Sequence, residues 1–367
     1  MGIMQLSSRF PLRVERASTV LLLASALVIS CSGGAGSGVA LPSITRTIPL
    51  PAAGASTIAL DEQHNRLYVG AVNKIFVIDG STDSVWASID VDTGDFGTSP
   101  VLDASTSTIY AANSNGTLSV IDGTTNAITT TLSLAPGGNL TQAVLNASTH
   151  KLYASNYQTA ILVVDLVSVA LAKTIPNTDA NFLAVDQSNN KVYVTGYDSG
   201  TVSVIDGASD QIVNTIHVGK AYTEDPDGGV VEGSGSGPDG IVVNEATNTI
   251  YVANQTDGTF VTVDGQSQTV TRSVPATAGG SGLFWVEISR RAPYPAYATN
   301  FLDNTLTAFD RTGAMVGRLS LGAETGSASG VAVSSTTGKI YVVDFGNPLD
   351  GDGGYISTPD SSVIVLH

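Results

Sequence analysis

One phrase recurs along the chain and restricts its fold more than anything else in it. RLYVGAVN around Tyr68, TIYAANSN around Tyr110, KLYASNYQ around Tyr153, KVYVTGYD around Tyr193, TIYVANQT around Tyr251, PAYATNFL around Tyr297 and KIYVVDFG around Tyr341 are seven variants of it. Most steps between these tyrosines fall near the ~40–45 residues of a four-stranded blade. The step from Tyr193 to Tyr251 is longer and holds an insertion over 219–239.

Each copy divides into four short strands. In the fourth, NFLAVD (181–186), KVYVTG (191–196), TVSVID (201–206) and QIVNTIHV (211–218) are separated by the turn segments QSNN, YDSG and GASD. β-Branched runs bounded by Gly, Asn, Asp and Ser are what antiparallel hairpins require. One such sheet buries too little to stand alone, so the copies must stack around an axis. Outside the N-terminus no stretch has a helical period long enough to predict a helix.

The chain ends predict how the ring closes. The last copy stops at SSVIVLH (361–367), which matches a third strand, and no fourth follows. Ahead of the first copy, ITRTIPLP (44–51) matches the fourth strand of copy four. The expected fold is therefore all-β: seven four-stranded antiparallel blades, with the N-terminal strand completing the last. This removes the open inner edge that a linear array would leave.

The phrases YVTG, YVAN, SVIDG and VTVDG resemble the YVTN family of β-propeller repeats, found in bacterial and archaeal envelope and surface-layer proteins. The resemblance covers roughly 43–367; AYATNF in the sixth copy and the long turn after Tyr341 depart from the pattern. It implies the propeller architecture and leaves activity open.

Residues 1–30 read as a secretory signal: Arg9, Arg13 and Arg16 precede the short apolar run STVLLLASALVIS. The run leads into Val28-Ile29-Ser30-Cys31, which resembles a bacterial lipobox. Cys31 is the only cysteine, so no intrachain disulfide can form. The resemblance implies lipidation at Cys31, a tether over 31–42 and a propeller over 43–367, held at the cell envelope through a membrane lipid anchor. More than one acyl chain would make that anchor stable. The formal charge of −16 argues against nucleic acid as a partner.

The repeated aspartates Asp79, Asp122, Asp165, Asp206, Asp264 and Asp310 end third strands and are read as turn-fixing groups rather than catalytic ones. The repeated tyrosines are read as packing between blades. Function is expected where copies differ. With strands A to D in each blade, the B–C turns and D–A connections share one face of the ring. Both irregular segments, 219–239 and 344–362, belong to that face. They supply a candidate acidic rim for a ligand or partner: Glu224, Asp225, Asp227, Glu232 and Asp239, then Asp350, Asp352 and Asp360. Asp350 and Asp352 resemble the opening of a Ca²⁺ loop without its later ligands, so Ca²⁺ is the one cofactor considered. Trp285 is the candidate channel residue, for stacking on a ligand or packing on the next blade.

The four histidines form no metal motif, and there is no nucleophile elbow or phosphate loop. The first expectation is thus a monomeric, non-catalytic binding or scaffold module whose partner is an envelope protein or a polysaccharide. The alternative is a lactonase-like propeller hydrolase with a metal at the central channel, for which Asn181, Asn244 and Glu287 are the candidates.

Overall fold

The computed structural model describes residues 41–52, 54–94, 97–223, 235–277, 279–289, 296–322, 327–346 and 361–367. Their strands form seven four-stranded antiparallel sheets. Blades 1 to 6 occupy 57–90, 98–133, 140–176, 180–217, 238–275 and 283–320, each with its strands in sequential order. In blade 4 the strands are Ala180–Asp186 (A), Lys191–Gly196 (B), Thr201–Asp206 (C) and Gln211–His217 (D). The A strands contact one another around the ring and are innermost; the D strands are outermost and largely exposed.

Blade 7 takes Ala328–Val333, Ile340–Asp344 and Ser362–Leu366 from the end of the chain and Ile44–Pro49 from its beginning. Thr47 lies opposite Ile364 and Ile48 opposite Val363, so the ring closes as the sequence predicts. Ile48 and Leu50 are buried in the core between blades 7 and 1. A further pair of backbone bonds, Ser43 N–H to His367 O and His367 N–H to Ser43 O, fastens the two ends.

Apolar clusters fill each gap between blades, and the strand B tyrosines sit in them. Tyr68, Tyr153, Tyr193, Tyr251 and Tyr341 are among the largest fully buried side chains. The repeated aspartates do what the sequence suggested. Asp79 accepts from Ser81 N–H at 2.7 Å, Asp122 from Thr124 N–H at 2.7 Å and Asp264 from Ser267 N–H at 2.7 Å. These donors hold each carboxyl below its usual range. Lys191 does so most strongly at Asp206, which falls to about 2.

Adjacent blades are also stapled by polar side chains. On the face of A–B and C–D turns, Lys339 reaches from blade 7 to Asp83 and to Gly80 O in blade 1, and Lys151 reaches from blade 3 to Asp210 and to Gly207 O in blade 4. Glu62 crosses the same 7–1 seam, accepting from Ser335 N–H and the Ser334 and Thr336 hydroxyls. Nearer the axis, Thr57, Thr141, Thr195 and Thr299 each donate a hydroxyl to a strand A carbonyl of the next blade: Thr98, Asn181, Asp239 and Ser329. The repeat is therefore both a packing unit and a hydrogen-bonding unit.

Candidate functional site: the face of B–C turns and D–A connections

Hydrogen bonds tie the turns into two opposed faces. On one, Gly80, Gly123, Gly207 and Gly265 of C–D turns each donate N–H to the last A–B turn residue of their own blade. On the other, the first residue after strand B donates N–H to the preceding D–A connection. Tyr157 bonds Asn139 O at 2.8 Å, Gln255 bonds Gly237 O at 2.8 Å, Phe301 bonds Gly282 O at 2.8 Å and Phe345 bonds Ser327 O at 3.0 Å.

That first B–C position distinguishes the blades. From blade 1 to blade 7 it holds Val72, Ser114, Tyr157, Tyr197, Gln255, Phe301 and Phe345. Four of the seven are aromatic, spread over blades 3, 4, 6 and 7; Tyr157, Phe301 and Phe345 are held by those backbone bonds, and Tyr197 by its hydroxyl donating to Gln255. Among the described residues, no A–B or C–D turn carries a Phe, Tyr or Trp. Sequence reasoning missed this column because each residue looked like a local departure from the repeat.

Both irregular segments root on this face. The blade 4–5 connection runs through Tyr222, whose N–H bonds Asp198 O at 2.8 Å and whose ring stacks on Tyr197 at 5.6 Å. It returns through Ser236, whose N–H bonds Lys220 O and whose hydroxyl bonds Asp257 at 2.6 Å. The blade 7 segment leaves after Phe345 and returns at Ser361, whose hydroxyl bonds Phe345 O at 2.8 Å. Glu224, Asp225, Asp227, Glu232, Asp350, Asp352, Asp360 and Cys31 lie outside the described residues.

Asp239 requires a correction. The sequence placed it on the acidic rim, but it lies in strand A of blade 5, Pro238–Asn244, and is 4% exposed. Pro-Asp-Gly reads as turn chemistry; here Pro238 begins a strand, and Asp239 and Gly240 form a bulge between Pro238 and Ile241. Blades 4, 6 and 7 repeat this bulge at Asn181/Phe182, Phe284/Trp285 and Ser329/Gly330. Bulges re-aim side chains, and here they put dissimilar residues at equivalent places around the inner ring. Asn181 Nδ2 donates to Asp239 Oδ1 at 2.8 Å across the blade 4–5 gap. Burial pushes the Asp239 carboxyl up to about 8, with the Asn181 bond opposing.

Trp285 lies in strand A of blade 6, Leu283–Ile288, and it packs. Its ring meets Phe182 edge-on at 5.3 Å, and Phe284 meets Phe182 at 5.8 Å. Blade 4 thus touches blade 6 directly, passing blade 5. Gly240 permits this, because a Cβ there would stand 2.3 Å from Phe284 O and 2.8 Å from Trp285 Cα. The aromatic contacts continue from Phe284 to Phe301 at 5.8 Å and from Phe301 to Phe345 at 5.9 Å. Phe284, Trp285, Phe301 and Phe345 remain partly exposed.

The residues named for a hydrolase do not converge. Asn181 and Asp239 sit at the B–C face end of their strands. Asn244 is five positions further along strand A, ~16 Å at ~3.3 Å per residue, and accepts from Ala246 N–H in the A–B turn. Glu287 lies mid-strand opposite Tyr297. Among the described residues, no three of His, Cys, Asp and Glu are grouped as metal ligands would be. At the opposite face an open cavity of about 380 Å³ is lined mainly by inner-strand apolar residues, including Val101, Val144 and Val185. Asp103 on its wall is occupied by Ser105.

Comparison with solved structures settles the architecture. The β-propeller domain of Cps50 (Swd1) from Myceliophteria thermophila superimposes with a TM-score of 0.68, covering 89% of this chain and 99% of that one at 12% identity. The chain is a seven-bladed β-propeller. At that identity the likeness concerns fold alone. No family model matches the propeller, and no curated protein matches it.

Proposed function

We propose that this propeller is a binding or scaffold module that engages its partner through the face of B–C turns and D–A connections. One observation carries the reading: the repeated residues are used up in holding the ring, whereas the differences between blades collect on that face. Asp79, Asp122 and Asp264 fix turns, and Lys151 and Lys339 staple blades. Tyr157, Tyr197, Phe301 and Phe345 differ from blade to blade, and each begins a turn on one side. Propellers without a repeated reactive group commonly act as platforms for partners, which agrees with this arrangement.

The finer reading is a monomeric lipoprotein of the YVTN-repeat kind. Cys31 would carry the lipid, residues 32–42 would be the tether, and the partner would be an envelope protein or a polysaccharide. The phrases around Tyr193 and Tyr251 and the tetrapeptide ending at Cys31 support it. The acidic segments would add a negative rim, able to take Ca²⁺ at Asp350 and Asp352.

Two experiments test this. Expressed with a bacterial lipoprotein-processing pathway, the chain should incorporate labelled palmitate, and Cys31→Ser should abolish labelling. An interaction screen against envelope proteins and polysaccharides should yield a partner whose binding is lost with Tyr157→Ala plus Phe301→Ala and kept with Val167→Glu. Val167 is 78% exposed in a C–D turn on the opposite face. Loss with Val167→Glu alone would place the contact on the wrong side and end the proposal.

A further inference from the structure

We infer that the outer rim of blades 6, 7 and 1 rests on a phospholipid surface, with the A–B and C–D turns toward the bilayer and the face of B–C turns and D–A connections away from it. The inference rests on the lipid-anchor reading and adds the contact surface and the orientation.

The rim is one patch. Its outer strands are Met315–Ser320 in blade 6, Ile44–Pro49 in blade 7 and Ser84–Asp90 in blade 1. Each carries large apolar side chains where strand C stops and strand D starts: Met315 and Val316, then Ile44, then Val85 and Trp86. Their exposure runs from 37% at Val85 to 51% at Trp86. Register puts them at one height. Met315 pairs with Phe309, Ile44 with Leu366 and Val85 with Ile78, each at or next to the end of its strand C. Contacts join the three strands. Leu41 lies against blade 6, where a Cβ at Gly317 would stand 3.0 Å from its Cδ1. Arg46 Nη1 donates to Thr82 O in blade 1 at 3.1 Å.

Two observations name the occupant. First, the chain leaves the ring here. Ser43 is bonded to His367 at this end of blade 7, and Leu41 continues onto blade 6. The ten residues from Leu41 back to Cys31 reach at most ~35 Å, so an acyl group on Cys31 tethers the ring by this arc. Second, the side chains suit a membrane interface. Trp86 lies under the Arg66 guanidinium at 4.1 Å, and Arg46 and Arg311 are exposed alongside. Tryptophan settles at headgroup level, and guanidinium groups pair with phosphate oxygens. The neighbouring carboxylates are engaged: Asp79 and Asp310 accept from turn N–H groups, and Asp83 accepts from Lys339. Strand addition by another protein is disfavoured, because the three outer strands are bulged at this point. Blade 4 carries Ile212 and Val213 at the same register across the ring; the exit of the chain singles out the arc of blades 6, 7 and 1.

The chain has two tryptophans. The full chain carrying Trp285→Phe therefore reports on Trp86, and the full chain carrying Trp86→Phe reports on Trp285. Each is produced in a host with lipoprotein processing and reconstituted into phosphatidylcholine vesicles, with and without bromine on the acyl chains. A zwitterionic lipid avoids repulsion by the charge of −16. The expected result is bromine quenching of Trp86 and none of Trp285. In the Trp285→Phe chain, Met315→Glu plus Val316→Glu should lower the quenching of Trp86 at least about threefold, since interfacial binding scales with buried apolar area. Ile212→Glu plus Val213→Glu should leave it unchanged. All four of these side chains are exposed, and melting by circular dichroism confirms that each variant is folded. Three results overturn the inference: Trp285 quenched as strongly as Trp86, no quenching in protein that floats with the vesicles, or equal sensitivity to the two double substitutions. Palmitate labelling separates this from failure of the anchor reading. Label without Trp86 quenching defeats the rim alone, Trp86 quenching without label defeats the anchor alone, and neither label nor quenching defeats both.

Discussion

Lys339 Nζ lies 2.8 Å from Asp83 across the seam where the last blade meets the first. The same ammonium donates to Gly80 O at 2.9 Å. The two side chains are 23% and 16% exposed, between a surface pair and a buried one. Lys339→Met should therefore lower stability by about 1–2 kcal/mol in chemical denaturation. Lys74 makes an ion pair with Asp90, which is 84% exposed, and Lys74→Met should cost less than about 0.5 kcal/mol. Equal costs would show that the seam gains nothing from its staple.

The N-terminal strand gives a stronger test of closure. Ile48 is 3% exposed against the core between blades 7 and 1. Ile48→Ala should cost about 2–4 kcal/mol. A chain starting at residue 51 should expose the edge of Ser362–Leu366 and self-associate, and a synthetic peptide of residues 41–50 should restore a monomer in analytical ultracentrifugation. A shortened chain that stays monomeric and keeps its melting temperature would contradict the pairing of Thr47 with Ile364.

Asp239 sets a pH dependence of unusual sign for a carboxyl group. Burial raises its folded pKa to about 8, well above the usual carboxylate range. Below pH 4 both states are protonated and there is no penalty. Between about 4 and 8 the unfolded chain ionises while the folded one keeps its proton, so this group's contribution to stability falls as pH rises. Asp239→Asn keeps an oxygen to accept from Asn181 and removes the titration. It should be more stable than the parent at pH 7.5, by a few kcal/mol at most, with the gain vanishing near pH 4. Guanidinium denaturation at both pH values measures this; an equal effect at each would sink the assignment.

Val169 closes the C–D turn of blade 3 with φ at 51°, a conformation that β-branched residues resist. Its counterparts in blades 1, 2 and 4 are Asp83, Asn126 and Asp210, with φ between 49° and 57°. Val169→Asn should stabilise the propeller by about 1 kcal/mol. A lower melting temperature would mean that Val169 packing against the blade 2–3 cluster outweighs the backbone strain.

The architecture was legible in the sequence because it is written seven times. Counterparts of Tyr193 and Asp206 recur 11 to 13 residues apart in six copies, and strand alternation around them sets each blade. Ring closure was legible because ITRTIPLP has the character of a strand whose partner is missing at the other end. The inner ring was not legible. Asp239 reads as part of a loop because Pro and Gly flank it, and only three-dimensional pairing shows the bulge that buries it. The contact of Phe182 with Phe284 and Trp285 was hidden for a different reason. It skips a blade, beside Gly240, where a side chain would meet the Phe284 and Trp285 backbone. The aromatic B–C column was visible in the aligned copies but looked like noise beside the regular tyrosines.

The pairing of Ile44–Pro49 with Ser362–Leu366 orders events during synthesis. The earliest strand of the ring to leave the ribosome has to wait for the final one before it has a neighbour, with more than three hundred residues produced in between. Domains otherwise tend to settle as they emerge. Here, nascent chains cut short by a premature stop would lack the closing partner and keep a raw edge. Only a chain that carries both Ile44–Pro49 and Ser362–Leu366 can fasten this buckle.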